Sequence, residues 1–387
     1  MNTVIFLEGD FKSSLYGMRS YRDYLIKNSK GVDDFFIVRY HSTVTKEVNI
    51  VDLGNYSEIS FPSPLFYIKT HVNEMTYATR IVDILTGILK TNKITVISRR
   101  VDDYELAKSI KTKTDWQIVF APQSLLLDEL FPGNRKEVVE YLNANPDLQK
   151  LTHLARKEYE LVHMSDEIQC FTNDHIEFIT EHYQKDSSKV VDIKFDKSTE
   201  LISKQVFQMS EVLKGIKSDE NEKIILFAGR ILNRSGIAEL IEAFKKLVQK
   251  HSNIKLVLAG GGNTDKFLPL CKGIWNKIIF TGYLTKEDLC CLYKIADIGI
   301  LPFQFGSFSF TALEMNALNL PLILTDTSGF KEYYENNPNC LIVKRSRDES
   351  GKMSVKSESL YSALEMLIEK KKLVLVKEKY PTTSSIN

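Results

Sequence analysis

The chain has 387 residues, which is long for a single hydrophobic core and favours two domains. Its composition, with 43% hydrophobic and 26% charged residues, is typical of a globular protein. A formal net charge of +1 excludes the strongly basic surface with which proteins attract nucleic acid or an anionic membrane.

The cysteines and the chain ends predict a cytoplasmic protein. The five cysteines include no CxxC pair and no Cys/His zinc spacing, so we expect free thiols in a reducing compartment. The N-terminal residues MNTVIFLE lack a basic leader, and no apolar run approaches the roughly 18 residues of a membrane span. The basic stretch EKKKLVLVKEKY (369–380) favours a solvated face, with peripheral membrane contact as the alternative.

The N-terminal half alternates between strand and helix patterns. TVIFLEG (3–9) predicts a strand, and a loop containing Gly17 leads from it to the helix MRSYRDYLIKN. Residues 151–182 predict two helices that flank the short strand EIQCFT. Further apolar runs predict strands at 34–40, 93–100 and 115–122.

The C-terminal half shows the same alternation more regularly. IAELIEAFKKLVQKH carries the i, i+3, i+4, i+7 apolar stripe of a helix, and TKEDLCCLYKIA opens with Thr285 as N-cap and Asp288 three residues later. This alternation predicts a parallel sheet with helices on both faces. The predicted strands are at 223–229, 254–260, 277–282, 297–303, 321–326 and 340–344.

A polar stretch between the halves, KSTELISKQVFQMSEVLKGIKSDENEK, has no strand periodicity, and we place the domain junction within it. The predicted domains are residues 1–200 and 201–387. Because α/β sheets bind ligands outside the carboxyl ends of their strands, we expect a ligand cleft between two such domains.

Glycine and arginine residues gather at the predicted strand ends of the C-terminal domain. Gly229-Arg230 ends the first strand, Gly260-Gly261-Gly262 the second and Gly282-Tyr283 the third, and the Gly306–Ser309 loop follows the fourth. Glycine lets the backbone approach a phosphate, and arginine offers a permanent charge with a fork of donors. Glu314, on the next helix, can accept both hydroxyl hydrogens of a ribose. These residues predict a site for a nucleoside diphosphate.

The order of these motifs resembles the donor half of GT-B glycosyltransferases, and in particular the family-four retaining enzymes. The resemblance is continuous from about 223 to 345 and weaker over 1–195, and it rests on FAGRI, LVLAGGG, FTGYLTKEDLCCLYKIADIGILPF and FGSFSFTALEMNALNLPLILTDTSGFKE. It implies an α/β protein of the GT-B fold, in which two Rossmann-like doubly wound domains face each other across a cleft. The N-terminal domain would bind the acceptor and the C-terminal domain the donor.

The resemblance also implies roles for individual residues. In the family, the arginine matching Arg230 binds the donor diphosphate, and we expect Arg234 to join it as a catalytic residue that stabilises the leaving group. Glu314 matches the glutamate that holds the ribose. The other implied donor-binding residues are Gly229, Tyr283, Leu284, Gly306, Ser307, Phe308 and Ser309, and those on the acceptor or cleft side are Gly17 and Arg99.

The sequence departs from the family pattern at several positions. The family has a second glutamate eight positions before the one matching Glu314, and Gly306 stands there instead, which leaves Gln304 or Ser307 as replacements. Ser235 occupies the place of a family lysine, with Arg234 one residue earlier. The Pro-Asn-Gly hinge sequence is missing, and ITVISRR lacks the usual histidine. An inverting mechanism would need a base, for which the candidates are Asp10, Asp102 and Asp103 and, less favoured, His71.

We therefore expect transfer of a sugar from a nucleoside-diphosphate sugar to an acceptor hydroxyl, with retention and with neither a metal nor another cofactor. The alternative is a catalytically degenerate GT-B protein that serves as partner or stabiliser of an active transferase. An epimerase or phosphorylase on the same fold is a lesser alternative. The N-terminal half, which would bind the acceptor, carries no motif that identifies the acceptor. A glycan, a lipid-linked sugar, a peptide and a small metabolite are all compatible with the sequence.

Overall fold

The computed structural model describes residues 2–9, 18–29, 31–63, 71–89, 91, 93–126, 149–195, 213, 215–304, 306, 308–347 and 353–369. The chain divides into two compact units. The N-terminal unit comprises Met1–Gln205 together with Phe305–Glu314 and Thr327–Gly329, and the C-terminal unit comprises Val206–Gln304, Met315–Asp326 and Phe330–Asn387. The predicted boundary at residues 200 and 201 lies outside the described residues.

The N-terminal unit is built on one sheet. Its strands are β1 Asn2–Gly9, β2 Asp34–Ser42, β3 Asn49–Asp52, β4 Ser57–Pro62, β5 Lys93–Ser98, β6 Gln117–Phe120, β7 Glu167–Cys170 and β8 Val190–Asp192. They lie in the order β3-β4-β2-β1-β5-β6-β7-β8, and all neighbours are parallel except β3 and β4. The connecting helices are α1 Met18–Asn28, α2 His71–Ile88, α3 Tyr104–Lys113, α4 Gln149–Met164 and α5 Asn173–Glu181.

The C-terminal unit contains a second, fully parallel sheet. Its strands are β9 Lys223–Ala228, β10 Ile254–Ala259, β11 Ile278–Gly282, β12 Ile298–Leu301, β13 Leu322–Thr325 and β14 Cys340–Val343. Their order, β11-β10-β9-β12-β13-β14, is the doubly wound order 3-2-1-4-5-6. The helices of this half of the chain are α6 Ile237–Lys250, α7 Lys286–Ile295, α8 Phe310–Ala317, α9 Ser328–Tyr334 and α10 Ser357–Ile368, and the first residues of α8 and α9 belong to the N-terminal unit. Strand β15 Arg345–Arg347 pairs antiparallel with β16 Met353–Val355.

Most predicted elements are present. Helix α1 has the predicted residues, the apolar stripe of α6 is buried apart from the half-buried Val248, and Thr285 caps α7 by accepting a hydrogen bond from the amide of Asp288 at 3.1 Å. Strands β3, β4, β8, β15 and β16 were not predicted from the sequence. Strand β3 is exposed at every position and β8 has three residues, so neither carries the apolar run on which a prediction depends.

The interior agrees with the composition. The largest fully buried side chains are aromatic or aliphatic and include Tyr21. All five cysteines are free, as predicted, and all five are buried. In the part of the chain that the structure describes, no helix combines the length and the apolar character needed to cross a bilayer.

Candidate functional site

The strand order of the C-terminal unit reverses between its two central strands, β9 and β12, which pair directly. From β9 the chain continues through α6 to β10 on one side, and from β12 it continues through α8 to β13 on the other. A crevice opens outside the carboxyl ends at such a switch point, and doubly wound sheets bind ligands there. The β9–α6 loop (229–236) and the segment 302–304 after β12 border it.

The β9–α6 loop carries both arginines that were predicted to be catalytic. Arg230 is exposed and Arg234 is half-buried, while Gly229 is buried. Ser235 is buried too, and its Oγ donates to the carbonyl of Arg230 at 2.7 Å. Ser235 therefore fixes the loop that presents Arg230, and Arg234 is the residue of this loop that can replace the charge of the family lysine.

A glycine brings the two loops together. Gly236 has a φ of 71°, and a Cβ at this position would lie 2.1 Å from the carbonyl oxygen of Pro302. Any side chain there would push the segment 302–304 away from the β9–α6 loop. Helix α6 begins at the next residue, so its positive N-terminal end lies beside both arginines.

Gln304 connects the segment after β12 to the arginine loop. Its backbone amide donates to the carbonyl of Arg234 at 3.2 Å, and its Nε2 donates to Oε1 of Glu239, in the first turn of α6, at 2.9 Å. The side chain is only 4% exposed. Oε1 of Gln304 is buried and accepts no hydrogen bond from any residue that the structure describes.

Arg345, which no sequence pattern singled out, fastens two strand-end segments together. Its Nη1 donates to the carbonyl of Gln304 at 2.6 Å, its Nη2 donates to the carbonyl of Asp326 at 3.0 Å, and its Nε donates to Oδ1 of Asp326 at 2.8 Å. Arg345 follows the predicted strand CLIVK directly. That position at the carboxyl edge is the signal that could have identified it.

The glycines after β10 pack against neighbouring chain segments. A Cβ at Gly260 would lie 1.8 Å from the carbonyl oxygen of Gly229, and one at Gly261 would lie 1.9 Å from Cζ of Tyr283. Tyr283 is exposed and Leu284 is buried. The structure thus shows that these glycines allow close packing. Their place in the sequence predicts a second role, in which they let the backbone approach a phosphate.

The predicted sugar-and-ribose segment belongs by its contacts to the N-terminal unit. Glu314 is 3% exposed, and its Oε1 accepts a hydrogen bond from the hydroxyl of Ser20 in α1. Ser309 caps α8, because its Oγ accepts from the amide of Ala312 at 3.2 Å. Gly306 is half-buried, with open space where a Cβ would be, and Ser307 lies outside the described residues.

Phe308 is part of an aromatic cluster. Its ring centroid lies 5.0 Å from that of Phe171 and 4.8 Å from that of Phe310. Tyr21 stacks on Phe310 at 5.7 Å, and Phe195 contacts all four of these rings. This packing fixes Phe308 by its side chain, which is consistent with the expectation that the segment would offer backbone groups to a ligand.

The N-terminal unit has its own switch point, between β1 and β5. Arg99 follows β5, is 4% exposed and lies 4.4 Å from the centroid of the Phe6 ring. Burial lowers the pKa of Arg99 to about 10, against the attraction of Glu8 and Asp103, so the guanidinium is charged at neutral pH. Gly17, the other predicted residue of this side, lies outside the described residues.

The two described candidates for a catalytic base are both engaged. Asp103 accepts hydrogen bonds from the hydroxyls of Tyr40 and Ser98 and from the amides of Arg99 and Arg100. Burial raises the pKa of Asp103, against the hydrogen bonds from Tyr40 and the two amides. Asp102 is paired with Arg100 at 2.6 Å. Asp10 and the side chain of His71 lie outside the described part of the chain.

A pocket that is partly open to solvent lies between the end of β2 and helices α2 and α3. His41 adopts a φ of 57° at its edge and stacks on Tyr77 with the ring centroids 4.5 Å apart. Lys157 lies 3.4 Å from Glu74 and 3.0 Å from Glu105. The lining residues are Tyr40, His41, Glu74, Tyr77, Ala78, Ile81, Asp102, Glu105 and Leu106.

One group of described residues has ligand atoms close enough together for a metal ion. His251, Glu365 and Glu369 offer atoms within 4.8 Å of one another. Glu365 is already paired with Lys250 at 2.7 Å and accepts a hydrogen bond from Tyr361. His251 follows the C-terminus of α6, at the amino edge of the sheet and away from the switch point.

Comparisons with known proteins agree with the geometry. Residues 209–360 match the sequence profile of the family described as Glycosyl transferases group 1. An uncharacterized glycosyltransferase of Methanocaldococcus jannaschii is 35% identical over 129 residues, which are 33% of this chain and 33% of that protein. The mannosylfructose-phosphate synthase of Agrobacterium fabrum is 32% identical over 118 residues, which are 28% of this chain and 26% of that protein. These matches therefore span a third or less of each relative.

The similarity to solved structures extends over nearly the whole chain. The sucrose-phosphate synthase of Thermosynechococcus elongatus gives a TM-score of 0.72 at 12% identity, and the alignment covers 96% of this chain and 92% of that one. At this identity the likeness concerns the fold alone. Taken with the motif order and the two doubly wound sheets, it leads to the conclusion that the chain has the GT-B fold and that its residues 209–360 are similar to the glycosyl transferases group 1 family.

Proposed function

We propose that this protein is a glycosyltransferase that moves a sugar from a nucleoside-diphosphate sugar to an acceptor hydroxyl, with retention of configuration. The observation that carries the proposal is the arginine loop at the switch point of the C-terminal sheet. It places an exposed arginine, a second half-buried arginine and the N-terminus of α6 at one crevice. A diphosphate leaving group needs this combination of fixed positive charge and backbone donors.

Arg230 and Arg234 would stabilise the negative charge that develops on the departing diphosphate, and the proposed reaction needs no metal ion. Two guanidinium groups and a helix N-terminus can together balance a diphosphate. Glu314 would hold the ribose through the carboxylate that Ser20 orients. This role for Glu314 and the retaining outcome follow the resemblance to the family-four enzymes.

Retention is favoured over inversion by the engagement of the described candidate bases. Asp103 already accepts four hydrogen bonds, and Asp102 is paired with Arg100. An inverting enzyme needs a carboxylate that can take a proton from the incoming hydroxyl. In a retaining reaction the leaving diphosphate can itself assist that hydroxyl, and no such base is required.

We place the acceptor in the pocket of the N-terminal unit. Its aromatic and aliphatic walls suit the C–H face of a sugar ring, and its carboxylates suit hydroxyl groups. None of its described lining residues is lysine or arginine, and the nearby Lys157 is shared by two carboxylates. A neutral, hydroxyl-rich acceptor therefore fits this pocket better than a sugar phosphate does.

The test is thermal stabilisation by UDP, GDP, ADP and TDP. A nucleotide at 100 times its dissociation constant should stabilise the folded protein by about 2.7 kcal/mol. The Arg230→Ala variant should lose this effect, whereas Arg156→Ala, at a site with 77% side-chain exposure on α4, should keep it. If no nucleotide stabilises the wild type, the transferase proposal fails. Binding without sugar transfer to any acceptor would favour the degenerate partner protein instead.

A further inference from the structure

We propose that His251, Glu365 and Glu369 form a zinc-binding site that joins the C-terminal ends of helices α6 and α10. One ligand atom of each residue lies within 4.8 Å of those of the other two. Zinc accepts an imidazole nitrogen and carboxylate oxygens as ligands, and a water molecule can complete its four-coordinate shell. The site lies at the amino edge of the C-terminal sheet, whereas the proposed transfer reaction uses the carboxyl edge. The inference therefore goes beyond the proposed function and does not rest on it.

Two helices that pack against each other bring the three residues together. His251 directly follows α6, and its amide still donates to the carbonyl of Leu247 at 2.9 Å. Glu365 lies in the last turn of α10, and the amide of Glu369 donates to its carbonyl at 3.0 Å. A spacing of four residues places both carboxylates on one face of a helix. Because Glu365 pairs with Lys250, the last residue of α6, this face is directed at α6.

The histidine is available to an ion. Its ring makes no hydrogen bond with any residue in the described part of the chain, and its Nε2 is buried without a partner. The side chain as a whole is half-buried, Glu365 is half-buried as well, and Glu369 is exposed. The cluster is therefore open to solvent on the side of Glu369, and an ion can reach it without any rearrangement of the core.

The carboxylate of Glu365 is held in place by two neighbours. Nζ of Lys250 donates to its Oε1 at 2.7 Å, and the hydroxyl of Tyr361 donates to the same oxygen. A carboxylate has lone pairs on both oxygens, so these two bonds orient the group while its second oxygen can still bind an ion. Hydrogen bonds that orient a ligand in this way are typical of metal sites and strengthen them.

The two helix ends add to the attraction for a cation. The C-terminus of a helix carries about half a negative charge, and both α6 and α10 end at this cluster. Lys223 already responds to this charge, since its Nζ donates to the carbonyl of Ile368, the last residue of α10, at 2.7 Å. The ammonium groups of Lys223 and Lys250 offset part of the negative charge. Two carboxylates and two helix ends still outweigh them and favour a divalent cation.

The ligand set selects zinc over calcium. Zinc holds ligand atoms at about 2.1 Å, which in a tetrahedral shell places them about 3.4 Å apart. The separation of up to 4.8 Å must therefore close slightly, and rotation of the exposed side chain of Glu369 can close it. Calcium takes about six to eight oxygen ligands at longer distances, and an imidazole nitrogen does not serve it. We therefore expect binding of zinc and not of calcium.

The experiment titrates the metal-free protein with zinc and, separately, with calcium, and calorimetry measures the binding. The wild type should bind zinc and should give no binding heat with calcium. His251→Gln and Glu369→Gln should each raise the dissociation constant of zinc by about 10-fold or more, because each variant removes one ligand. Since Glu369 is exposed, the Glu369→Gln variant keeps the test valid even if His251→Gln does not fold.

Each variant has a matched control on the same chain. His153→Gln replaces an exposed histidine of α4, and it should leave the dissociation constant of zinc unchanged. Glu358→Gln replaces a carboxylate in the first turn of α10 that pairs with Lys246 of α6, and it should leave the constant unchanged as well. These controls separate the site from zinc bound by other surface groups.

Hydrogen exchange tests whether the ion joins the two helices. Zinc should slow the exchange of the amides in the last turn of α10 in the wild type and should not slow it in Glu369→Gln. The proposal is overturned if the wild type does not bind zinc, if both ligand variants bind it as the wild type does, or if bound zinc leaves the exchange unchanged. None of these results concerns nucleotide binding, so the proposed function stands or falls by its own test.

Discussion

Both sheets of this chain have a switch point between two central parallel strands, but the arginine that follows a strand at the switch point is exposed in one unit and buried in the other. In the C-terminal unit Arg230 is exposed at the end of β9. In the N-terminal unit Arg99, after β5, is buried between the charges of Glu8 and Asp103. The guanidinium is therefore open to solvent in the first arrangement, whereas in the second it is buried and attracted by two carboxylates of its own unit.

The difference is instructive because both arginines stand at equally suggestive places in the sequence. Glu8 is buried at the end of β1 and contacts Arg22 at 3.3 Å and Arg39 at 3.1 Å. Such a network holds strand ends together. An arginine whose charge is neutralised by a carboxylate of the protein is not also available to neutralise the charge of a ligand. Burial, rather than position in the sequence, therefore distinguishes these two arginines.

Removing the charge of Glu8 should produce the largest effect on stability. In Glu8→Gln the buried Arg22 loses the buried one of its two carboxylate partners and keeps the more exposed Asp23. We expect the free energy of unfolding to fall by about 3–5 kcal/mol. Urea denaturation measures this loss. Glu58→Gln is the matched control, since Glu58 pairs with Arg39 near the surface and should contribute less than about 1 kcal/mol. A Glu8 variant as stable as its control would mean that the network is not structural.

Removing the charge of Arg230 should affect the reaction and leave stability unchanged. If Arg230 stabilises the leaving diphosphate, Arg230→Ala should lower kcat by about 100- to 1000-fold. Because the residue is exposed, the free energy of unfolding should change by less than about 0.5 kcal/mol. Turnover of the nucleotide sugar is measured beside urea denaturation. A variant that unfolds readily would place Arg230 with Glu8 as a structural charge and remove the contrast between the units.

Local sequence patterns predicted much of this fold and less of the site. The strand ends and helix α6 follow from apolar periodicity, and the cap at Thr285 follows from a four-residue motif. The hydrogen bonds of Gln304 and Arg345 join residues 41 positions apart, so they depend on which loops the sheet order brings together. The departure from the family pattern left Gln304 or Ser307 as replacements for the missing glutamate, and the hydrogen bonds of Gln304 could be recognised only from the structure.

Replacing Ser20 should have a smaller effect on nucleotide binding, and this effect tests the role of Glu314. The hydroxyl of Ser20 donates to the buried carboxylate and orients it. If Glu314 holds the ribose, Ser20→Ala should raise the dissociation constant of the bound nucleoside diphosphate by about 3- to 10-fold. The 2′-deoxy nucleotide should be less affected than the ribonucleotide. Equal effects on both would separate Ser20 from ribose binding.

The smallest expected effect concerns pH and a buried pair in the C-terminal unit. Glu222 lies 3.0 Å from Lys255, and both side chains are buried. Burial raises the pKa of Glu222, but the amide of Ser218 and the ammonium of Lys255 outweigh it and hold the pKa below its usual value of 4.5. The stabilisation from this ionised carboxylate is therefore present above pH 4.5, and it is lost as the pH falls through the lowered folded pKa.

The Glu222→Gln variant tests this titration, because it removes the group while keeping the shape of the side chain. The wild type should lose stability more steeply than the variant as the pH falls below 4.5, and the two should run parallel between about pH 6 and 8, where Glu222 is ionised in both the folded and the unfolded chain. The urea midpoint at each pH measures the difference. If the curves stay parallel at low pH as well, Glu222 has the same pKa in the folded and the unfolded chain. The ion pair with Lys255 would then add nothing to the free energy of unfolding.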